Sequence, residues 1–252
     1  MIDININIQE ILQQFKVVPL VPISIFGINL SITSLTLTAL LTALIIYFVL
    51  YLCSSVQLQP STTQAIGEIF YSFFKNSIVI QFGGVQSVPY IAPLMSIFLL
   101  VFTGNILGLI PKIPTITSHL IITAEIGFIT YFLLLILSIV KYKWHFLKIF
   151  CPAGIPLLIQ PFIIFIEVII FCTKPLLLAC RLFLNMTLGH IVLAIFEHIS
   201  ASLTDINFAL GICSSLTLTS VVLCIELLAS IIQALVMILF ICIALKDVLS
   251  EH

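Results

Sequence analysis

The fold follows from residues 155–198, which read IPLLIQPFIIFIEVIIFCTKPLLLACRLFLNMTLGHIVLAIFEH. Five polar or ionisable side chains interrupt this apolar run: Glu167, Lys174, Arg181, Asn185 and His190. An ionisable group at membrane depth costs from ~3 kcal/mol on insertion scales to more than about 10 kcal/mol in simulations. Such groups are therefore expected to have a task.

The spacing of these side chains predicts two surfaces on one helix, which turns about 100° and rises about 1.5 Å per residue. Glu167, Lys174 and Arg181 are seven residues apart, so each is displaced by only about 20° from the last. Asn185 extends this polar stripe. His190 is nine residues beyond Arg181, which turns it about 180° away and about 13 Å further along the axis.

The composition is that of a polytopic membrane protein. Of the 252 residues, 62% are hydrophobic and 8% are charged, and the mean hydropathy is +1.33. A soluble globule could not be covered with so little polar surface. The length suits about five to seven spans, so residues 1–252 are expected to form a single integral membrane domain. A net charge of −1 without a dense basic patch gives no reason to expect a nucleic-acid partner.

The first half of the chain predicts three spans and one interfacial helix after a mixed N-terminal segment, residues 1–26, which has no evident chemistry or secretory signal. Residues 28–53 are an uncharged apolar first span, rich in hydroxyls that can bond back to their own helix. Residues 61–80 predict an amphipathic interfacial helix that Ser61 can cap. Its apolar side is expected to carry Ile66, Ile69, Phe70, Phe73 and Phe74. Residues 91–140 predict a transmembrane hairpin with a proline-rich turn.

A basic cluster after this hairpin predicts the topology. Lys141, Lys143, His145 and Lys148 form the densest group of basic residues in the chain. The positive-inside rule places them on the cytoplasmic or matrix side. Counting spans backwards and forwards, we expect the N-terminus outside and the C-terminus inside.

Residues 155–198 and 206–246 would each be about 60 Å long if helical, twice a hydrocarbon core of about 30 Å. Each could be two conventional spans, for seven in all, or one long inclined helix, for five. Pro175 is the only strong breaker in the middle of the first, and the second has no proline, which favours long helices. The predicted fold class is therefore all-α: about five transmembrane helices, the last two long and strongly tilted, plus one interfacial amphipathic helix. Glu197 and His198 would lie in the outer loop between them.

On the last helix, Glu226 and Gln233 are seven residues apart and share a face, about 10 Å from each other. One long helix thus offers Arg, Asn and His, and its partner offers Glu and Gln. This pairing suggests an ion path between them.

Two runs carry a resemblance to a known family: TKPLLLACRLFLNMTLGH at 173–190 and ELLASIIQALVMILF at 226–240. They closely resemble subunit a of the F-type ATP synthases. Supporting matches are NILGLIP at 105–111, PLLIQPFIIFIE at 156–167 and LKDVLSEH at 245–252. The resemblance spans about residues 60–252, and the first 60 residues match only in layout.

The resemblance implies a proton-translocating stator subunit with two offset half-channels that never meet. The implied partners are the c-subunit ring, the peripheral stalk, other Fo subunits and the lipid bilayer. The transported ion would be H⁺, and no cofactor or metal is expected. The chain has no G-x-x-x-x-G-K-[ST] loop, so ATP chemistry would take place elsewhere in the complex and the chain would be no enzyme by itself.

The resemblance also implies roles for six residues. Arg181 looks like the essential arginine that faces the ring, with Asn185 beside it and Gln233 packed near it. A guanidinium does not lose its charge, so it can keep a ring carboxylate ionised and block protons from crossing directly between the half-channels. His190 and Glu226 look like the outer half-channel pair. The exit half-channel towards the matrix would use the carboxylate of Glu167.

Four further polar residues have no role in this scheme. Glu125 could join the outer channel with His119, or bond locally to a hydroxyl or the backbone. Lys174 could pair with Glu167 or extend to the matrix interface. Glu197 and His198 could ligate a metal with His190, although a solvated loop explains them as well.

Location and function both keep alternatives on the residues alone. Within the family resemblance, the arrangement of Glu226 with His190, the low charge content and the short C-terminus look more mitochondrial than bacterial. This implies the mitochondrial inner membrane, with the N-terminus in the intermembrane space and the C-terminus in the matrix; the alternative is a bacterial plasma membrane. A self-contained ion channel or secondary transporter would show internal repeats, and no convincing repeat relates the two halves. A purely structural subunit would use Arg181 only to stabilise the bundle.

Overall fold

The computed structural model describes residues 19–22, 24–25, 28–29, 31–53, 61–110, 115–142 and 159–249. Within these ranges the chain is almost wholly helical, which confirms the all-α class. The α-helices are α1 (Ser34–Cys53), α2 (Thr62–Phe73), α3 (Ile91–Gly108), α4 (Leu120–Tyr142), α5 (Gln160–Ile206) and α6 (Phe208–Leu249). A π-helix (Phe74–Gly83) continues α2, and two short 3₁₀ helices (Val85–Tyr90 and Ile116–Ser118) precede α3 and α4.

Four short strands precede the first helix. β1 (Pro19–Val21) pairs antiparallel with β4 (Ile32–Thr33), and β2 (Ser24–Ile25) pairs antiparallel with β3 (Ile28–Asn29). The predicted first span therefore began too early, because α1 starts at Ser34 rather than Ile28. Thr33 and Thr36 explain this start. The amide of Thr36 donates to the hydroxyl of Thr33 at 3.4 Å and so caps the helix, and the amide of Thr33 donates to the hydroxyl of Thr36 at 3.0 Å.

Two threonine hydroxyls of α1 bond back to their own helix, as predicted. Thr38 donates to the carbonyl of Leu35 at 2.9 Å, and Thr42 donates to the carbonyl of Ala39 at 2.7 Å. Both threonines are buried against the bundle, whereas most apolar side chains of α1 are exposed. The exposed majority suits a helix that faces lipid.

The helix predicted at 61–80 is present, with Ser61 as its N-cap accepting from the amide of Gln64 at 3.3 Å. Only part of its apolar stripe is buried, because a stripe about 140° wide on a helix can face the core on one edge and the outside of the bundle on the other. Phe74 is fully buried, with its ring 5.6 Å from that of Phe98 on α3. Phe70 packs beside them, 6.0 Å from Phe98. The outward part of the stripe consists of Ile66, Ile69 and Phe73.

The core forms where the second half of α6 packs against the π-helix and α3. The fully buried side chains of α6 there are Met237, Ile238, Ile241, Cys242 and Leu245. At the end of α6, the Nζ of Lys141 on α4 donates to the carbonyl of Leu249 at 2.9 Å. The C-terminal half of α6 thus contacts the π-helix, α3 and α4.

Within the described residues, five helical segments are long and apolar enough to cross a membrane. These are Ser34–Cys53, Val85–Gly108, Leu120–Lys141, Gln160–Thr204 and Gly211–Leu249. The last two are single helices of 47 and 42 residues, α5 and α6, and the five-span interpretation is confirmed over the seven-span one. Each is about 60 to 70 Å long against a core of about 30 Å, so each must tilt or bend.

The turn between α5 and α6 is shorter than predicted. Asn207 alone separates the two helices, and its side-chain oxygen accepts from the amide of Ala209 at 3.2 Å. Glu197 and His198 therefore lie in the last turns of α5, and their predicted place in an outer loop was wrong. No proline or glycine interrupts residues 190–206, and hydroxyls there satisfy carbonyls of the same helix.

Pro175 lies inside α5 without ending it. A Cβ atom placed on Gly127 of α4 would lie 2.9 Å from the carbonyl oxygen of Pro175. The absence of a side chain at Gly127 thus lets α4 approach α5 closely at the proline. This contact positions the next turns of α5, which carry Arg181.

Candidate functional site

The candidate site lies along the helical hairpin formed by α5 and α6, which pack more extensively than any other pair of elements. Lower-numbered residues of α5 contact higher-numbered residues of α6, so the helices are antiparallel. Two contacts define the site. One joins Glu226 to Gly189, and the other joins Arg181 to Phe240.

The carboxyl group of Glu226 lies directly against the backbone of Gly189. A Cβ atom at Gly189 would lie 2.8 Å from Cδ of Glu226, closer than real Cβ contacts allow, and 3.0 Å from Cγ. The next residue of α5 is His190, which is half-buried. The structure therefore brings Glu226 of α6 to the segment of α5 that carries the predicted histidine, and the glycine makes this approach possible.

One oxygen of Glu226 is unsatisfied. Its Oε1 atom is buried and has no hydrogen-bond partner among the described residues. A buried polar atom without a partner costs about 1–3 kcal/mol, more for a charged group. A proton, a water molecule or an exchanging partner would remove this cost, which is the requirement of a group that binds and releases protons.

A groove of about 380 Å³ opens beside Glu226 between α5 and α6. Asn185 and Glu226 are its polar residues, and apolar side chains such as Val192, Phe196 and Val221 form the remaining wall. A water molecule takes about 30 Å³ of liquid volume, so the groove has room for a chain of waters. The structure thus places Asn185 in the groove with Glu226.

Arg181 lies outside this groove. Its guanidinium carbon is 5.4 Å from the ring centroid of Phe240, which is within the range of a cation–π contact. Both residues line a small pocket of about 90 Å³. Its other walls are Tyr131, Lys174, Leu177 and Leu178. The arginine is exposed, so its charge is accessible to a partner on this face of the chain.

Phe240 and Gly189 were missed by the reasoning from sequence. Phe240 had a signal, because it follows Gln233 by seven residues, as Gln233 follows Glu226, and so continues the same face of α6. The signal for Gly189 was weaker: it is the only glycine of α5. Gln233 is half-buried between the two contacts, and its packing near Arg181 stays a prediction.

Glu167 and Lys174 are half-buried on the N-terminal half of α5. In the described part of the chain they form no ion pair with each other, because seven helical residues separate them by about 10 Å. The predicted pair was therefore wrong, and extension of Lys174 towards the interface is the alternative that stays. Neither residue lines the groove of Glu226.

Glu125 is exposed on α4 and makes no hydrogen bond to a described residue, so the predicted local bond was wrong. It lies two residues from the buried Thr123 and Gly127, on the side turned away from the bundle. His119 is half-buried just before α4, and its carbonyl accepts the first amide bonds of that helix. Burial lowers the pKa of His119.

No metal site emerges from the described residues. Within those ranges no three His, Cys, Asp or Glu side chains are grouped so that they could hold an ion. Glu197 and His198 are exposed on α5. The cysteines that the structure describes are free thiols: Cys53, Cys172, Cys180, Cys213, Cys224 and Cys242.

Known proteins resemble this chain over most of its length. The family model described as ATP synthase A chain matches residues 14–246. ATP synthase subunit a of Mesorhizobium japonicum is 34% identical over 242 residues, which cover 94% of this chain and 95% of the relative. Subunit a of Orientia tsutsugamushi (strain Ikeda) is 35% identical over 243 residues, which cover 96% and 98%.

A third relative, ATP synthase subunit a of Rhizobium leguminosarum, is 33% identical over 238 residues, which cover 93% of this chain and 94% of the relative. These relatives are bacterial, so the expected mitochondrial origin is not confirmed. The family model and the relatives both extend over nearly the whole length. The chain therefore belongs to the ATP synthase A chain family.

Proposed function

We propose that this chain is the proton-translocating stator subunit of a rotary F-type ATP synthase. One observation carries the proposal: a carboxyl group with an unsatisfied buried oxygen, Glu226, lies against Gly189 beside His190, while Arg181 lies on another surface of the same hairpin. Membership of the family supports it. The partners are the c-subunit ring, the peripheral stalk and other Fo subunits, within a lipid bilayer.

The outer half-channel uses the groove beside Glu226. Water in the groove delivers a proton to the carboxyl group, and His190 and Asn185 supply further polar groups along α5. Both Glu and His can bind and release a proton, which a relay requires. The proton then passes to a carboxylate of the c-ring. The groove volume and the unsatisfied oxygen support this route.

Arg181 separates the two half-channels. It is exposed and forms no ion pair with any described residue, so its charge is available to a carboxylate of the ring. A guanidinium keeps its proton at all relevant pH values, which a lysine in the same place would not guarantee. A ring carboxylate that passes Arg181 therefore stays ionised, and a proton cannot cross directly from one half-channel to the other.

The exit half-channel uses Glu167. Along a straight helix, Glu167 and His190 are about 34 Å apart, so on an inclined helix they still lie at clearly different depths of a hydrocarbon core about 30 Å thick. The two half-channels can therefore open on opposite sides of the membrane, with Arg181 between them. This arrangement makes proton flow depend on rotation of the ring.

The proposed location is the plasma membrane of a bacterium, which the bacterial relatives favour over a mitochondrial inner membrane. The N-terminus lies outside and the C-terminus inside, as the positive-inside rule requires. ATP is made by other subunits of the complex, and this chain contributes the ion path and no catalytic group for ATP chemistry.

The test measures ATP-driven proton pumping in vesicles that carry the assembled complex. Glu226→Gln keeps the shape of the side chain but cannot carry a proton, and Arg181→Lys keeps the charge without the guanidinium geometry. Both are expected to abolish pumping while the complex still assembles. The matched control is Glu68→Gln, because Glu68 is exposed on α2 and its bond from Gln64 survives the change.

Normal pumping by assembled Arg181→Lys complexes would refute the stator proposal. Proton transport by this chain in lipid vesicles that contain no other protein would instead indicate a self-contained channel. Loss of assembly is detected by native electrophoresis of the membranes before pumping is measured.

A further inference from the structure

We propose that Phe240 is a positioning residue for Arg181: its aromatic ring holds the guanidinium in one place on the face presented to the c-ring. This inference rests on the proposed role of Arg181. The distance of 5.4 Å from the guanidinium carbon to the ring centroid carries it, together with the partial exposure of both residues. Phe240 has 42% of its surface exposed, so its ring forms part of the outer face of α6.

The register of the hairpin gives this contact a direction. Helical side chains point back towards the N-terminus of their own helix, so Arg181 extends towards the half of α5 that carries Glu167. Phe240 lies 14 residues beyond Glu226 on α6, or about 21 Å along the helix axis. The aromatic ring of Phe240 therefore holds the positive charge of Arg181 away from the groove of Glu226 and towards the exit half-channel.

An aromatic ring suits this task better than an acidic residue would. A carboxylate in the place of Phe240 would neutralise the guanidinium and compete with the carboxylates of the c-ring for Arg181. The face of an aromatic ring attracts a cation through its quadrupole and leaves the net charge unchanged. Arg181 thus keeps a defined place and a full charge at once.

The surroundings of Phe240 limit its movement. Its neighbours Ile238, Ile241 and Cys242 are fully buried in the core, which fixes the backbone of this part of α6. On α4, Tyr131 forms another wall of the pocket and is itself buried, 5.8 Å edge-to-face from the ring of Phe171. The aromatic ring is therefore a fixed support, and the long arginine side chain is the part that it orders.

The positive charge of Lys174 is a second factor that acts on the position of the guanidinium. It lines the same pocket as Arg181 and carries the same charge, and no described acidic residue pairs with either. Both positive groups border one small pocket, so their Coulomb repulsion favours arrangements of the arginine side chain that lie further from Lys174. The contact with Phe240 opposes that displacement.

The experiment compares Phe240→Leu, Phe240→Tyr and Phe240→Trp in vesicles with the assembled complex. Two quantities are measured: protons pumped per ATP hydrolysed, and passive proton leak through the complex without nucleotide. Removing a cation–π contact is worth about 3- to 10-fold in the population of the held arginine. Phe240→Leu is therefore expected to lower the pumping ratio by about 3- to 10-fold and to raise the leak.

Tyr and Trp keep an aromatic face and are expected to retain pumping within about twofold of the unchanged complex. A residue needed only to fill space would give the opposite order, because Leu fits the site of a Phe better than the larger Trp. The matched control is Phe128→Leu, on α4, which is 47% exposed and does not line the pocket. Its pumping ratio is expected to stay unchanged.

Pumping by Phe240→Leu equal to that of the unchanged complex, or Trp worse than Leu, would overturn the inference. Arg181→Lys is measured in parallel to separate this failure from failure of the proposed function. If Arg181→Lys abolishes pumping while Phe240→Leu does not change it, only the role of Phe240 is wrong; if Arg181→Lys pumps normally, the proposed function itself is wrong. If Phe240→Leu does not assemble, cryo-electron microscopy of the unchanged complex decides. A guanidinium more than about 6 Å from the ring centroid would refute the contact.

Discussion

The carboxyl group of Glu226 occupies the space where a side chain at Gly189 would be. This relationship joins α6 to α5 at the turn that precedes His190. Packing and the place of the carboxyl group are linked here, because a Cβ atom at residue 189 would lie 2.8 Å from Cδ of Glu226 and the carboxyl group would have to move. Substitution at Gly189 should therefore change proton transfer by moving the carboxyl group of Glu226.

Gly189→Ala is expected to lower proton pumping by about tenfold or more, because the new methyl group displaces the carboxyl group by overpacking. Pumping and assembly are measured in vesicles as for Glu226→Gln. The control is Gly104→Ala on α3, where a Cβ atom would meet nothing within 4 Å. Glu226→Asp, which is one methylene shorter, should restore part of the activity in the Gly189→Ala background. Equal pumping by the two alanine variants would contradict this explanation.

Lys141→Met is expected to loosen the end of α6. The lysine donates to the carbonyl of Leu249, and a charged donor to a terminal carbonyl contributes about 1.5–3 kcal/mol. Hydrogen exchange of the last turn of α6 should then accelerate by about tenfold, as measured by mass spectrometry on the detergent-solubilised complex. Lys246→Met is the control, because Lys246 is exposed on the same turn. Similar exchange in both variants would show that the bond to Leu249 contributes little.

His119 is expected to make stability depend on pH. Burial holds the pKa of His119 below its ordinary value of 6.5, so the folded chain binds this proton less readily than the unfolded chain. The contribution of His119 to the free energy of unfolding is therefore fully present above pH 6.5 and is lost as pH falls from there through the folded pKa. A positive charge at the N-terminus of α4 would also oppose the helix dipole.

The measurement for His119 is the temperature at which the complex dissociates, recorded from pH 8 down to pH 5 in steps of roughly half a unit around the ordinary pKa. His119→Gln should flatten the part of the decline that begins near pH 6.5. Identical pH profiles for the two proteins would assign the decline to other groups.

Local properties of the chain were sufficient to predict much of the fold. The length and apolarity of the segments predicted five to seven spans, and the absence of proline between 206 and 246 favoured one continuous last helix. The start of α1 was wrong, because paired β-strands compete with helix for the residues before Ser34 and that pairing is not a local property. Glu197 and His198 were placed in a loop because charged residues usually mark one, whereas α5 continues through them.

The candidate site shows the same division. Spacing alone predicted that Glu167, Lys174 and Arg181 share one face of a helix, since helical periodicity depends only on residue number. Spacing could not show which turn of α6 would meet them. That register follows from the packing of both helices against α3, α4 and the π-helix, which involves residues far apart in the chain.

The sequence by itself therefore determined the class of protein and the polar residues within its long apolar segments, and it favoured five spans over seven. The free-energy cost of placing polar groups in a long apolar segment is a local quantity, and it can be read from one segment at a time. Only the tertiary structure decided that Glu226 lies against Gly189 and that Arg181 lies over Phe240. Contacts between helices depend on the shapes of two surfaces at once, and neither helix specifies them alone.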